Sequence, residues 1–491
     1  MPSARRFGLT LVTAAFMSSN FLGSAALAAS APTTPAPSAK ASEFEDGSGK
    51  TNPDGTRPDR PAVVKGVLPK AQVKATATGQ LPECPPSLMA KCQFVPAAYQ
   101  QNDPTNPRSY GNYDTANRPA DGIKINTIVI HDTEGSLASA LATFQDPTAY
   151  ASANYVIDTD GTVYQTVLNK DIAWHAGNWY ANMHAIGIEH VGVAAQGSTS
   201  YTDAMYRSSA QLTRWLASQY GIPLDRQHIV GHDNVPGPTP AYTAGMHWDP
   251  GPFWNWQHYM ALLGAPVVST AGPTSELVTI SPRWKSNQPP VTECANGTCT
   301  TLPTQSANFV YLHTSASDDA PLLSDPAIHP DGGAGTTQIE DWSATADYGQ
   351  QFAVAGRQGD WTGIWYGGQV GWFKNAPGAC TALPTTGKLI TPRSGLASIP
   401  MYGRAYPEAS AYPATIPAQS VVPLQYSIPA GQSYATTGSV PADYYYAKTI
   451  DSSLPGDHTL VVGQDSYLEI QFGHRVAYVK QSDVTESLVQ R

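Results

Sequence analysis

Charge is scarce in this chain: 13% of its 491 residues are Asp, Glu, Lys or Arg, and the basic ones are the fewer, 28 against 38, for a formal net charge of −10. An acidic chain offers no phosphate-tracking surface, which excludes nucleic acid as its main partner. Cysteine is nearly absent, five in all, too few for a disulfide-dense scaffold. Beyond about residue 27 no apolar run is long enough to span a bilayer. Gly and Pro, by contrast, number 42 each, so a helical bundle or coiled coil is excluded and globular modules on flexible connections are expected.

Arg5 and Arg6 precede an apolar run ending in Ala26-Leu27-Ala28. That pattern predicts a secretory signal over 1–28, hence an exported protein with no membrane contact after cleavage. Residues 29–80, rich in Ala, Pro, Thr and Ser with few large apolar side chains, read as a linker. In an exported chain near-neighbour disulfides, Cys84 with Cys92 and Cys294 with Cys299, leave Cys380 odd.

The composition changes over 81–265, where eight of the twelve histidines fall. Ile125–His131 is a short β-branched run that predicts a buried strand with His131 at its end. Ser136 is placed to cap a helix that Asp146-Pro147 stops. Asp160-Gly161 between Tyr155–Asp158 and Thr162–Gln165 predicts a hairpin, and Ala185–Glu189 another strand ending in a carboxylate. Thr202 starts a helix and Gly221 ends it. Strands alternating with helices predict an α/β domain with a mixed sheet.

His131, His232 in Ile229-Val230-Gly231-His232, and Asp249 in Asp249-Pro250-Gly251-Pro252 form a two-imidazole, one-carboxylate set of the kind that leaves a fourth zinc position open. Spread over more than a hundred residues, that set has no local signature of its own. The surrounding strings, Ile128–Gly135, Asn154–Gln165, Trp174–Asn178, Ile186–Glu189, Gly231-His232-Asp233 and Asp249–Pro252, resemble in order the zinc-dependent N-acetylmuramoyl-L-alanine amidases of the peptidoglycan-recognition and phage-lysozyme type. The resemblance covers roughly 120–260. It implies His131, His232 and Asp249 as zinc ligands and Glu189 as the general base that takes a proton from the attacking water. His247 stands where the family usually has lysine, a departure that puts a partly charged imidazole at the developing oxyanion. His175 matches a segment lining the substrate groove, Asn178, Trp179 and Tyr180 are expected to add a stacking wall for sugar or stem peptide, and the proline-rich insertion Val235–Gly245 is expected beside the site. The implied reaction is cleavage of peptidoglycan between N-acetylmuramic acid and L-alanine. The alternatives are a recognition protein that binds muropeptides without cutting, or a zinc hydrolase of another amide.

Residues 266–305 turn again to Pro, Thr and Ser and read as a second linker. Two β-type blocks follow, 306–381 and 388–486, carrying an internal repeat. Trp361–Phe373 aligns without gaps to Tyr467–Val479, and Gly349–Phe352 corresponds to Gly431–Tyr434 at a different spacing, so the second block carries an insertion. These hairpins resemble the ends of bacterial SH3-like domains, which implies two small barrels that hold the enzyme on the wall. No feature argues for an oligomer, and a monomer is expected.

Overall fold

Short strands of three to six residues, most of them rich in apolar side chains, make the first sheet. The computed structural model describes residues 79–490 apart from Asn296 and Gly297, so the expected leader and nearly all of the first linker lie outside the described residues. Strands β1 (Cys92–Phe94), β2 (Thr127–Ile130), β3 (Tyr155–Ile157), β4 (Val163–Gln165), β5 (Ala185–His190) and β6 (Ile229–Gly231) form one six-stranded sheet in the order β1-β4-β3-β5-β2-β6. β3 and β4 are the expected antiparallel hairpin. β3, β5, β2 and β6 run parallel to one another, so the sheet is mixed.

The helices accompanying the sheet are α1 (Leu137–Gln145), α2 (Trp179–His184), α3 (Asp203–Tyr220), α4 (Pro240–Thr243) and α5 (Trp256–Leu263). Ser136 caps α1 by accepting from Ser139 N, and Thr202 caps α3 by accepting from Met205 N. Gly221, at φ 72°, ends α3 in the left-handed conformation that glycine takes without penalty. Met205, Leu212 and Leu216 of α3 enter the same core as Ile128, Ile130 and Ile188 of the sheet. No helix among the described residues is long and apolar enough to cross a membrane.

The segment 266–305 is not the linker its composition predicts. Leu277–Ile280 forms β7, all four residues buried. Three apolar residues and a threonine suffice for a strand covered on both faces, and an average over forty residues hides them. Further on, β8 (Thr292–Ala295) and β9 (Thr298–Thr301) pair across the Cys294–Cys299 disulfide. Cys84–Cys92 is also formed, and Cys380 is the free cysteine.

β7 lies inside a five-stranded antiparallel sheet with β10 (Gln351–Gln358), β11 (Trp361–Tyr366), β12 (Gln369–Lys374) and β13 (Ala382–Pro384), in the order β12-β11-β10-β7-β13. The second block is a seven-stranded antiparallel sheet. It comprises β14 (Gly387–Pro392), β15 (Ser398–Tyr402), β16 (Pro423–Pro429), β17 (Tyr434–Val440), β20 (Tyr467–Gln471), β21 (Val476–Lys480) and β22 (Val484–Val489), with the hairpin β18 (Asp443–Tyr446) and β19 (Thr459–Val462) standing outside it. The order is β16-β15-β21-β20-β17-β14-β22, with the proline-bearing β16 on an edge, where a missing N–H costs no ladder bond. The first block thus begins at β7 rather than at 306, and the second extends to Val489.

The internal repeat is structural. Trp361 pairs with Lys374 in one hairpin and Tyr467 with Lys480 in the other, the same register at aligned positions. Both central strands carry a bulge at matching places, between Val354 and Gly356 and between Thr436 and Gly438. The insertion expected in the second copy is the β18–β19 hairpin.

That insertion ends the picture of modules on flexible connections. Tyr444, Tyr445 and Tyr446 of β18 share one buried aromatic core with Tyr110, Trp174, Trp179 and Tyr180 of the six-stranded sheet domain. Rings of this size lose on the order of 2–3 kcal/mol each when taken out of such a core. Two blocks sharing a core in this way are one folding unit rather than a domain and a tethered appendage.

Candidate active site

Register places the reactive side chains. In the parallel ladder Ile130 pairs with Ile188 on one side and with Gly231 on the other. The next residues, His131, Glu189 and His232, therefore stand level at the C-terminal ends of three adjacent strands, on the same face. Open parallel sheets gather their ligands at this edge. Thr133 and Asp132 hold the turn that follows: Asp132 Oδ1 accepts from Glu134 N at 3.1 Å and Thr133 Oγ1 donates to Gly135 O at 2.9 Å.

Asp249 arrives from the loop before α5. Its backbone carbonyl accepts from Asp233 N at 2.8 Å, which ties its loop to the turn that carries His232. His131 Nδ1 lies 3.0 Å from Asp249 Oδ2. His232 Nδ1 is 3.0 Å from Asp249 Oδ1 but out of line for a hydrogen bond. All three residues are buried and their ligand atoms lie within 4.8 Å of one another. Two nitrogens and a carboxylate oxygen converging on one point, one of them close to the carboxylate without bonding it, is the arrangement a borderline cation such as zinc takes up. The residues fit a metal.

Electrostatics agree with that donor set. Burial drives the His232 imidazole down to about 3, so it is neutral at pH 7 and holds a lone pair for a ligand. Burial opposes the charge on Asp249, yet His232, His131 and His247 around it prevail and hold its carboxyl well below the usual range.

His175 is not a groove residue. It is 3% exposed and stands behind His131, its Nδ1 3.0 Å from His131 Nε2. Burial, and then the neighbouring His131 and His232, push it well below the ordinary imidazole range. A neutral His175 accepting from His131 Nε2–H leaves His131 Nδ1 bare toward Asp249, the outer-shell arrangement that fixes a ligand's tautomer. Gly187 makes room for this ring, since a Cβ there would stand 2.6 Å from it.

Asn178 is also corrected. It is 1% exposed: its Oδ1 caps α2 by accepting from Ala181 N, and its Nδ2 donates to Pro236 O at 3.0 Å and to Gly403 O at 2.7 Å. Both of its N–H donors are therefore taken within the protein. Trp179 and Tyr180, expected as a stacking wall, are 1% and 3% exposed and donate to Tyr445 O and Pro441 O of the second block. The insertion Val235–Gly245 forms α4 and packs at this seam, with Gly237 O against Gly403 so closely that a Cβ at 403 would stand 1.8 Å from it.

His247 remains accessible, its side chain 27% exposed and its Nδ1 3.7 Å from Asp249 Oδ1. Glu189 is half-buried on the face of His131. The site thus brings together His131, His232, Asp249, His175 and His247, with Glu189 on the neighbouring strand, and turns Asn178 away.

Sequence reading missed two further residues here. His474 and Arg475 reach the ligand loops from the turn between β20 and β21. His474 Nε2 lies 3.2 Å from Asp233 Oδ2 and 3.9 Å from Asp347 Oδ2, all three buried. Arg475 donates to the carbonyls of His232, Val235, Met246 and His247. The one available signal was that the aligned positions in the first copy, Gly368 and Gln369, carry no charge.

A family profile described as N-acetylmuramoyl-L-alanine amidase matches residues 121–252, the stretch holding every strand of this edge and all three convergent side chains. The chain is 33% identical over 175 residues to N-acetylmuramoyl-L-alanine amidase A of Achromobacter lyticus, spanning 32% of this chain and 91% of that protein. It is 35% identical over 118 residues to the 1,6-anhydro-N-acetylmuramyl-L-alanine amidase AmpD of Salmonella typhimurium, spanning 23% of this chain and 57% of AmpD. Among solved structures, a selenomethionine AmpD is 25% identical with a TM-score of 0.28, covering 37% of this chain and 99% of its own. AmiD from E. coli, solved with anhydro-N-acetylmuramic acid-L-Ala-D-gamma-Glu-L-Lys, is 23% identical with a TM-score of 0.25, covering 36% and 70%. A relative at this identity, matched over nearly its whole length, decides the matter: the chain belongs to the N-acetylmuramoyl-L-alanine amidase family.

Proposed function

We propose that the chain is an exported, zinc-dependent amidase that cuts peptidoglycan between N-acetylmuramic acid and L-alanine. The observation carrying this reading is the buried convergence of His131 and His232, at the ends of adjacent parallel strands, with Asp249 from the loop before α5. Those three side chains would hold the metal, which when bound supplies Lewis acidity toward the scissile carbonyl and the attacking water. Glu189, beside His131 on the same face, takes the proton of that water and returns it to the departing alanine amine. His247, the accessible imidazole at the rim, donates to the developing oxyanion. His175 holds His131 in its ligating tautomer and touches no substrate. The two repeat sheets are read as SH3-like, with the second extended by the β18–β19 hairpin, and a role in holding wall is left to their outer faces.

The test is mass spectrometry of fragments released from purified peptidoglycan by the full chain with zinc, beside Asp249→Ala. New free L-alanine amino termini that vanish in the variant are expected, with a loss of about a thousandfold or more, as for removal of a group that acts as part of a unit. Intact muropeptides bound but not cut would make the chain a recognition protein instead.

A further inference from the structure

Arg475 lies on the second repeat block, far in sequence from the sheet that carries the reactive residues, yet its guanidinium donates to the loops that hold two of the three convergent side chains. Nη1 donates to Val235 O at 2.6 Å and to His232 O at 3.2 Å, while Nη2 donates to His247 O at 2.8 Å and to Met246 O at 3.4 Å. One guanidinium thus bridges the carbonyl of the ligand His232 and the carbonyls of the two residues leading to Asp249. Its planar fork is suited to this, offering five donors in a fixed geometry, which a lysine ammonium cannot reproduce.

The clamp is itself held. Arg475 is 5% exposed and its guanidinium lies 4.5 Å from the centre of the Trp342 ring. Its neighbour His474 is locked by Asp233 on one side and, through Nδ1, by Thr345 Oγ1 at 2.9 Å on the other. His474 O accepts from Asn234 Nδ2 at 3.2 Å and from Gln350 Nε2 at 2.8 Å. Arg226 adds a second buried guanidinium, donating to Asn234 Oδ1 at 3.0 Å. Two buried arginines and His474 against Asp233 and Asp347 leave this cluster no shortage of positive charge, so the three ligating groups there serve as an ionic lock and not as a second cation site.

We infer that Arg475 is a positioning residue for the metal centre, setting the separation of the His232 and Asp249 loops from outside the domain that contains them. The inference rests on the zinc reading above. Groups that hold metal ligands in place from behind change metal affinity or turnover by about 10–100-fold when removed. The aligned residue in the first copy is Gln369, so Arg475→Gln installs what the repeat itself tolerates at this turn.

The experiment uses the full chain. Zinc affinity is measured by competition with a chromophoric chelator, and kcat and KM on muropeptide at saturating zinc, for wild type, Arg475→Gln, Arg475→Lys and Asp249→Ala, with melting curves for each. Arg475→Gln is expected to weaken zinc binding at least tenfold and to lower kcat with KM within about twofold, and Arg475→Lys to recover part of both. If Arg475→Gln does not fold, Arg475→Lys carries the test, with the same direction and a smaller change. A lower melting temperature with unaltered zinc affinity and kcat would make Arg475 a general strut and overturn the inference. A wild type whose zinc binding does not depend on Asp249 would overturn the zinc reading and this inference with it, whereas Asp249-dependent binding that both Arg475 variants keep overturns the inference alone.

Discussion

The two copies of the repeat hairpin share register, bulge and length, and differ in what their turns touch. In the first, Gly367 N donates to Phe472 O and Gly368 N to the Tyr434 hydroxyl, so the turn rests on the second sheet. In the second, His474 and Arg475 rest on the loops of the amidase site. The facing strand pair diverges too: Gly363 lies under Trp372 in the first copy, and the same pair in the second is Glu469 and Tyr478. Duplication supplied a scaffold twice, and of the two hairpin turns it is the second that carries charge onto the loops of the amidase site. Position on a fold, not the fold, decides what a module does.

The comparison breaks most visibly if the second copy can be removed. Ending the chain at Thr386 uncovers Trp179, Tyr180 and Trp174, and an insoluble or unfolded product is expected, read by yield and by loss of a cooperative melt. A soluble, active 1–386 chain would restore the tethered-module picture. A finer contrast lies between aligned aromatics. Tyr467 is fully buried and Trp361 is half-exposed, so Tyr467→Ala should cost about 3–5 kcal/mol in urea unfolding and Trp361→Ala about 1.

Glu469 sharpens the same contrast through pH. Burial raises its carboxyl from 4.5 to about 7, with His228 only partly offsetting this. The folded state therefore holds a proton that the unfolded state has released, and stability falls as pH rises from 4.5 to 7, by as much as about 3 kcal/mol. Glu469→Gln should remove that slope, gaining on wild type between pH 5 and pH 7.5 in melts at both. An unchanged difference would show that the buried carboxyl is not linked to folding. The smallest effect belongs to Gln369, the counterpart of Arg475. It is exposed and donates to Ser324 O, and Gln369→Ala should leave stability within about 0.5 kcal/mol and activity unaltered.

What could be read in advance was local. His131, Glu189 and His232 each end a short apolar run, Ser136, Thr202 and Gly221 mark helix ends by their own backbone chemistry, and each disulfide joins near neighbours. The repeat and the insertion in its second copy were legible because they are comparisons within the chain. Asn178, Trp179 and Tyr180 were misjudged because nothing nearby says what covers them: their partners, Gly403, Tyr445 and Pro441, lie more than two hundred residues on. His474 and Arg475 look like turn residues for the same reason. β7 was lost in a proline-rich background whose average concealed Leu277, Val278 and Ile280.

The aromatic core shared by the sheet domain and β18 has a consequence in time. A ribosome makes the six-stranded sheet first and the β18–β21 region more than two hundred residues later, so Trp179 and Tyr180 stay uncovered through most of synthesis. Domains ordinarily fold as units in the order in which they emerge. Here the earliest-made domain waits for the latest, and its catalytic loops are among the last parts of the molecule to be completed.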